Sequence, residues 1–111
     1  MSSLDLNIMR DKLRKFVKDR DWEQFHDPKN LAMALSVESS ELLEIFQWLT
    51  VENSYELENK KRNEAEMEMA DILIYLIRIA DKLNIDLLDA VTKKIKINEQ
   101  RYPVEKVKSK R

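Results

Sequence analysis

Not one of the 111 residues is glycine, and only two are proline. Glycine turns a chain through positive φ without steric strain, and hairpins lean on it. A chain that lacks it is poorly equipped for the tight reversals of a sheet, so an all-α fold is predicted. Charged residues make up 37% and hydrophobic residues 43%, enough for a core beneath a heavily charged surface. This length suits one domain. With 20 basic and 21 acidic side chains the net charge is −1, which gives no general electrostatic case for a nucleic-acid polymer or an anionic membrane as partner. The absence of cysteine excludes disulfides and thiolate metal sites. No apolar run reaches membrane-spanning length, and Met1-Ser-Ser-Leu-Asp5 lacks the form of a signal peptide, so a cytoplasmic protein is expected. A domain this small buries a limited fraction of its surface, and oligomerisation would cover more of it.

Apolar spacing predicts four main helices. The first runs from about Leu4 to Arg20, with Leu6, Met9, Leu13, Phe16 and Val17 recurring at helical intervals. Asp21–Asp27 breaks that period and reads as a loop. Asp27-Pro28 reads as an N-cap followed by proline at the first helical position. The second helix runs from Pro28 to about Leu49. Thr50–Asn63 is polar and without period, a loop with room for a short helix near Tyr55-Glu-Leu57. The third helix runs from about Glu64 to Leu83. Between Met67 and Ala80 it is apolar on nearly every side, broken only by Glu68, Asp71 and Arg78. A helix apolar all round is buried all round. In so short a chain a second subunit is expected to cover part of it. Asn84 is the expected stop and Asp86 the cap of a fourth helix, which ends near Gln100, before Pro103. Residues 1–104 read as one helical domain and 105–111 as a basic, frayed tail.

Two carboxylate pairs sit inside the apolar stretches: Glu38-Ser-Ser-Glu41 and Glu68-Met-Ala-Asp71. The i,i+3 spacing puts both members of each pair on one helix face. For isolated acids such as Glu64 and Glu66, among polar neighbours, a solvated surface is the better reading. Glu44 extends the row of Glu38 and Glu41 but has a pairing lysine as an alternative. Carboxylates among apolar residues need a cation or become protonated. Two packed helices would bring all four to one point. Oxygen ligands alone favour Mg²⁺, with Mn²⁺ as a substitute, over zinc or copper. A di-iron bundle uses Glu-x-x-His pairs, and this chain has a single histidine.

Trp22, Phe25, Trp48 and Tyr75 read individually as core filling. Trp22 in a polar loop and Trp48 at a helix end could equally present a flat face to a nucleobase. His26 divides between a hydrogen-bonded loop residue and a substrate contact. Lys94, Asn98 and Arg101 recur on one face of the last helix. That is a solvated face or, beside a metal, a grip for a triphosphate.

Glu38-x-x-Glu41, 26 intervening residues, then Glu68-x-x-Asp71 resembles the signature of the MazG-like all-α nucleoside triphosphate pyrophosphohydrolases. Arg20–Leu35, Glu44–Trp48, Asp71–Tyr75 and Asn98–Val104 resemble the dCTP pyrophosphatase branch of that family. The similarity spans about Leu6 to Val104. One departure is Ser39-Ser40, where relatives often carry small apolar residues or glycine. The resemblance implies hydrolysis of a nucleoside triphosphate, usually a deoxynucleotide, to monophosphate and pyrophosphate. It implies Mg²⁺ on Glu38, Glu41, Glu68 and Asp71, and a base and sugar surrounded by Trp22, His26, Trp48 and Tyr75. Lys94, Asn98 and Arg101 would meet the phosphates. It also implies a homo-oligomer, either a dimer or a tetramer built as a dimer of dimers, with sites completed across subunits. Glu41 is the expected water-activating carboxylate, with Glu38 the alternative. dCTP is the favoured substrate, and dATP or modified pyrimidines fit the same residues. Two other readings stay open: a non-catalytic helical module whose acidic cluster binds a basic partner, and a phosphohydrolase acting on another pyrophosphate-containing molecule.

Overall fold

A computed structural model describes residues 3–107, and every element among them is helical. The elements are α1 (Ser3–Asp19), a 3-10 turn (Glu23–Phe25), α2 (Pro28–Phe46), α3 (Val51–Ser54), α4 (Asn59–Lys82), α5 (Leu87–Arg101) and α6 (Val104–Val107). The all-α expectation holds.

Where glycine would be the default, the chain uses two other residues. Asp21 and Asn84 adopt positive φ, 54° and 55°. Both follow the last turn of a helix. The Trp22 amide donates to the Val17 carbonyl (3.0 Å) and the Ile85 amide to the Ala80 carbonyl (2.8 Å), the six-to-one bond that closes a helix on a left-handed residue. Short polar side chains tolerate that conformation better than any others except glycine. The helix starts are equally local. Asp27 accepts from the Asn30 amide at 2.8 Å, Thr50 from Asn53 at 3.1 Å, and Asp86 from Asp89 at 3.0 Å.

The Thr50 cap corrects two expected boundaries. Its extended backbone opens α3 at Val51, so α2 stops at Phe46 rather than Leu49. The short helix of that loop is therefore Val51–Ser54, ahead of Tyr55. α4 begins at Asn59, not Glu64. Its first turn, Asn59–Asn63, is polar and carries no apolar period, so hydrophobic spacing misses it. α6 straddles the expected boundary between domain and tail, and residues 108–111 of that tail lie outside the described residues.

α2 and α4 form the main packed pair, with α1 laid across α4. His26, just before α2, meets Arg78, while Glu38, about three turns into α2, meets Glu68. The two helices are thus antiparallel. The core is small: Val17, Leu31, Ile45, Ala65, Ile77, Ala80 and the buried Arg78. Met67, Met69, Leu73, Ile74 and Leu76 of α4 are exposed in the single chain, as are Leu88, Val91, Ile95 and Ile97 of α5. The predicted all-round burial of α4 is not achieved within the single chain. The radius of gyration is 17.3 Å, against about 13 Å for a compact chain of this length.

Candidate functional site

Glu38 and Glu41 project from α2 towards Glu68 of α4. One carboxylate oxygen from each lies within 4.8 Å of the others. Ser39 and Ser40 separate the two glutamates, and the Ser40 hydroxyl turns back onto the Ser36 carbonyl at 3.0 Å. That bond keeps the intervening serine from competing for the carboxylates. Glu38 and Glu68 are half-buried, and Oε2 of each is buried with no hydrogen-bond partner among the described residues.

Like charges so close resist ionisation. The Glu38 carboxyl is pushed up to about 7, first by the Glu68 carboxyl against it, then by burial and by Glu41. For Glu68 a proton held by Glu38 lowers its value, but burial together with Glu41 and Asp71 outweighs that and raises it. Two orphaned buried carboxylate oxygens and a third carboxylate beside them are what a hard divalent cation requires. The donor set is all oxygen, and the residues present fit Mg²⁺ or Mn²⁺.

Three of the four expected carboxylates form the cluster, and Asp71 stands beside them. It lies one turn beyond Glu68 on the same face of α4, outside the cluster, although its charge reaches both Glu68 and Tyr75. Glu41 is the exposed member of the cluster. Tyr75 follows on the same face. Its hydroxyl is held above the usual tyrosine value by burial, then by the charges of Glu38 and Asp71.

Glu68, Asp71, Tyr75, Arg78 and Lys82, spaced alternately three and four apart, form a single polar row along α4. His26 stands against this row: Arg78 Nε donates to His26 Nδ1 at 3.4 Å. The helical rise puts Asp71 and Arg78 about 10 Å apart. Arg78 and its partner Asp81 are the residues that apolar spacing and motif reading passed over. The available signal was Arg78 itself, the one cation within an apolar run and seven residues beyond Asp71.

The remaining expected contacts are scattered. Trp22 is partly exposed and packs edge-on against Phe16, centroids 5.7 Å apart. Trp48, 87% exposed, stands in the turn after α2. Lys94, Asn98 and Arg101 are exposed on α5, and none of them bonds to α2 or α4 among the described residues. One protomer therefore assembles Glu38, Glu41, Glu68, Asp71, Tyr75 and His26 along the α2–α4 seam. It leaves Trp48 and the α5 residues apart.

An acidic cluster set between two antiparallel helices of an all-α chain defines the class. The chain belongs to the MazG-like family, whose pattern matches residues 33–110. It is 45% identical to dCTP pyrophosphatase 1 of Mus musculus over 92 residues, which is 81% of this chain and 54% of that protein. Against dCTP pyrophosphatase 1 of Homo sapiens it is 41% identical over 97 residues, 86% of this chain and 57% of that one. The chain thus spans about half the length of the curated relatives it matches. Its fold is similar to the crystal structure of a pyrophosphatase from Archaeoglobus fulgidus, with a TM-score of 0.79 and 44% sequence identity. That likeness covers 84% of this chain and 87% of the other.

Proposed function

We propose that this protein is a Mg²⁺-dependent nucleotide pyrophosphohydrolase that splits a deoxynucleoside triphosphate into monophosphate and pyrophosphate. The observation that carries this reading is the cluster of Glu38, Glu41 and Glu68, with two buried oxygens that have no other partner. Glu38 and Glu68 would hold the cation, and the charge of Asp71, one turn further along α4, would add to the attraction for it. A bound Mg²⁺ or Mn²⁺ supplies neutralisation of phosphate charge and polarisation of a water molecule. Glu41, open to solvent at the edge of the cluster, accepts a proton from the attacking water. The water oxygen bonds either to the α phosphorus, expelling pyrophosphate, or to the β phosphorus, expelling the monophosphate; in both cases the P–O bond bridging the two breaks and the leaving oxygen takes up the charge.

The polar row of α4 supports the rest. Tyr75 and His26, set along the row beyond the cluster, contact the nucleoside. Trp22 and Trp48 supply stacking faces. Lys94, Asn98 and Arg101 meet the phosphates from a second copy of the chain, docked through the exposed apolar surfaces of α4 and α5. The assembly is a dimer or a dimer of dimers. dCTP is the preferred substrate, in keeping with the names of the relatives, and the reaction clears the cytoplasmic nucleotide pool. No helix among the described residues is long and apolar enough to cross a membrane.

The test is a panel of canonical and modified deoxynucleoside triphosphates, assayed for pyrophosphate release with Mg²⁺. Release is expected to be greatest with dCTP and to stop with EDTA. Release of single orthophosphate would reject the reaction type. Equal rates for purine and pyrimidine triphosphates would reject the substrate preference.

A further inference from the structure

Arg78 is 2% exposed and, with Leu31 and Val17, is among the largest fully buried side chains of the described residues. A buried guanidinium is retained only where its charge is matched. Here Nη1 donates to Asp81 at 3.2 Å, and Asp81 is in turn gripped by Arg14 of α1, whose Nε donates at 2.8 Å and whose Nη2 makes the second half of the fork. Asp81 is held below the usual carboxylate range, first by its bonds to Arg14 and then by the surrounding guanidinium charges, against the effect of burial. Arg78 is thereby anchored from α1 through Asp81, and its Nε is left aimed at His26 Nδ1.

Arginine has five N–H donors and no acceptor, and it does not deprotonate in proteins. A bond from Arg78 Nε to His26 Nδ1 therefore requires that Nδ1 carry the lone pair. The imidazole proton must then sit on Nε2. We propose that Arg78 is a positioning residue. It locks His26 as the neutral Nε2–H tautomer, so that the ring meets the nucleotide as a single hydrogen-bond donor, neither a cation nor an acceptor. This rests on the reading of His26 as a nucleotide contact. The ligand atom it selects is an acceptor, such as a keto oxygen or an unprotonated ring nitrogen.

The charges around the ring point the same way. Arg78 and Lys82 face it from α4. Asp81 is engaged by the two arginines on the far side of Arg78. Asp27, next to His26 in the chain, is occupied with the amide and side chain of Asn30, both at 2.8 Å. Burial, then Arg78 and Lys82, hold the imidazole below its ordinary value.

His26 is the chain's one histidine, so the imidazole resonances of the ¹⁵N-histidine-labelled full chain need no assignment. Without nucleotide, the wild-type protein should show an unprotonated Nδ1 and a protonated Nε2 at neutral pH, with a titration midpoint below that of a free imidazole. Arg78→Met should mix the tautomers and raise the midpoint. With the nucleotide, Arg78→Met should raise KM roughly fivefold, the loss of one uncharged hydrogen bond, with little change in kcat. In a His26→Ala background the same substitution should change KM no further. A protonated Nδ1 in the wild-type protein overturns the proposal, as does an undiminished effect of Arg78→Met after His26→Ala. The tautomer is read without substrate, so it stands or falls separately from the hydrolase reading. That reading fails instead if the wild-type protein releases no pyrophosphate.

Discussion

Glu38 titrates near 7 because Glu68 and Glu41 crowd it, and that has a measurable consequence for the cation-free protein. The folded chain holds this proton more tightly than the unfolded chain, whose glutamate titrates near 4.5. The resulting stabilisation is fully present below about 4.5 and is lost as pH rises through about 7. In EDTA the melting temperature should fall between pH 5 and pH 8, and Glu38→Gln should flatten that fall. Excess Mg²⁺ should reverse it, because a cation stabilises the charged carboxylates. A wild-type profile that rises with pH in EDTA would contradict the crowded cluster. Glu41→Gln should lower kcat by about 10²–10⁴-fold, the range for a positioned general base, while nucleotide binding stays measurable by calorimetry. Near-normal turnover would sink that assignment. The carboxylate pairs were legible in the sequence because i,i+3 spacing is a local property. Which acid stands outside the cluster was not, since Asp71 and Glu68 differ only in where α2 passes. The Arg14–Asp81–Arg78–His26 chain was equally out of reach. It joins residues 67 and 52 positions apart, and no periodicity announces such a pair.

At the scale of elements, the legible boundaries were those marked by a cap. Asp27-Pro28, Asn84 and Asp86 all act where their local chemistry says they should. Thr50 carries the same kind of signal and opens α3, but the polar stretch around it hid the cue. Left-handed Asn84 offers a direct check on how a glycine-free chain ends its helices. Asn84→Gly should be neutral or stabilising by up to about 1 kcal/mol. Asn84→Val should destabilise by about 1–2 kcal/mol, because a β-branched residue resists positive φ. Thermal melts of the two variants separate these outcomes. Equal stability of the two would mean that the left-handed closure does not bear on α4.

The whole molecule exposes 9253 Å², where a compact monomer of this length would expose about 6,500 Å². The excess, roughly 2,800 Å², exceeds one partner's share of a standard interface several times over. The exposed apolar residues of α4 and α5 contribute to the total. The over-apolar character of α4 was legible in the sequence. How much of it a single chain buries was not, because burial within one chain and burial between two leave the same pattern of letters. Sedimentation at micromolar concentration should give a mass of at least two chains, and Leu73→Glu with Leu76→Glu should shift it towards one. A monomeric wild-type protein would contradict the shared site. The central claim, that the cluster of Glu38, Glu41 and Glu68 serves a cation-dependent hydrolysis, is tested most directly by quantifying the products from dCTP for the wild-type protein and Glu68→Gln. The account predicts equimolar monophosphate and pyrophosphate with Mg²⁺, none with EDTA, and a loss of at least about 10–100-fold in Glu68→Gln, since loss of even an outer-shell partner of a metal ligand costs that much. Undiminished turnover in EDTA, or in Glu68→Gln, would contradict it.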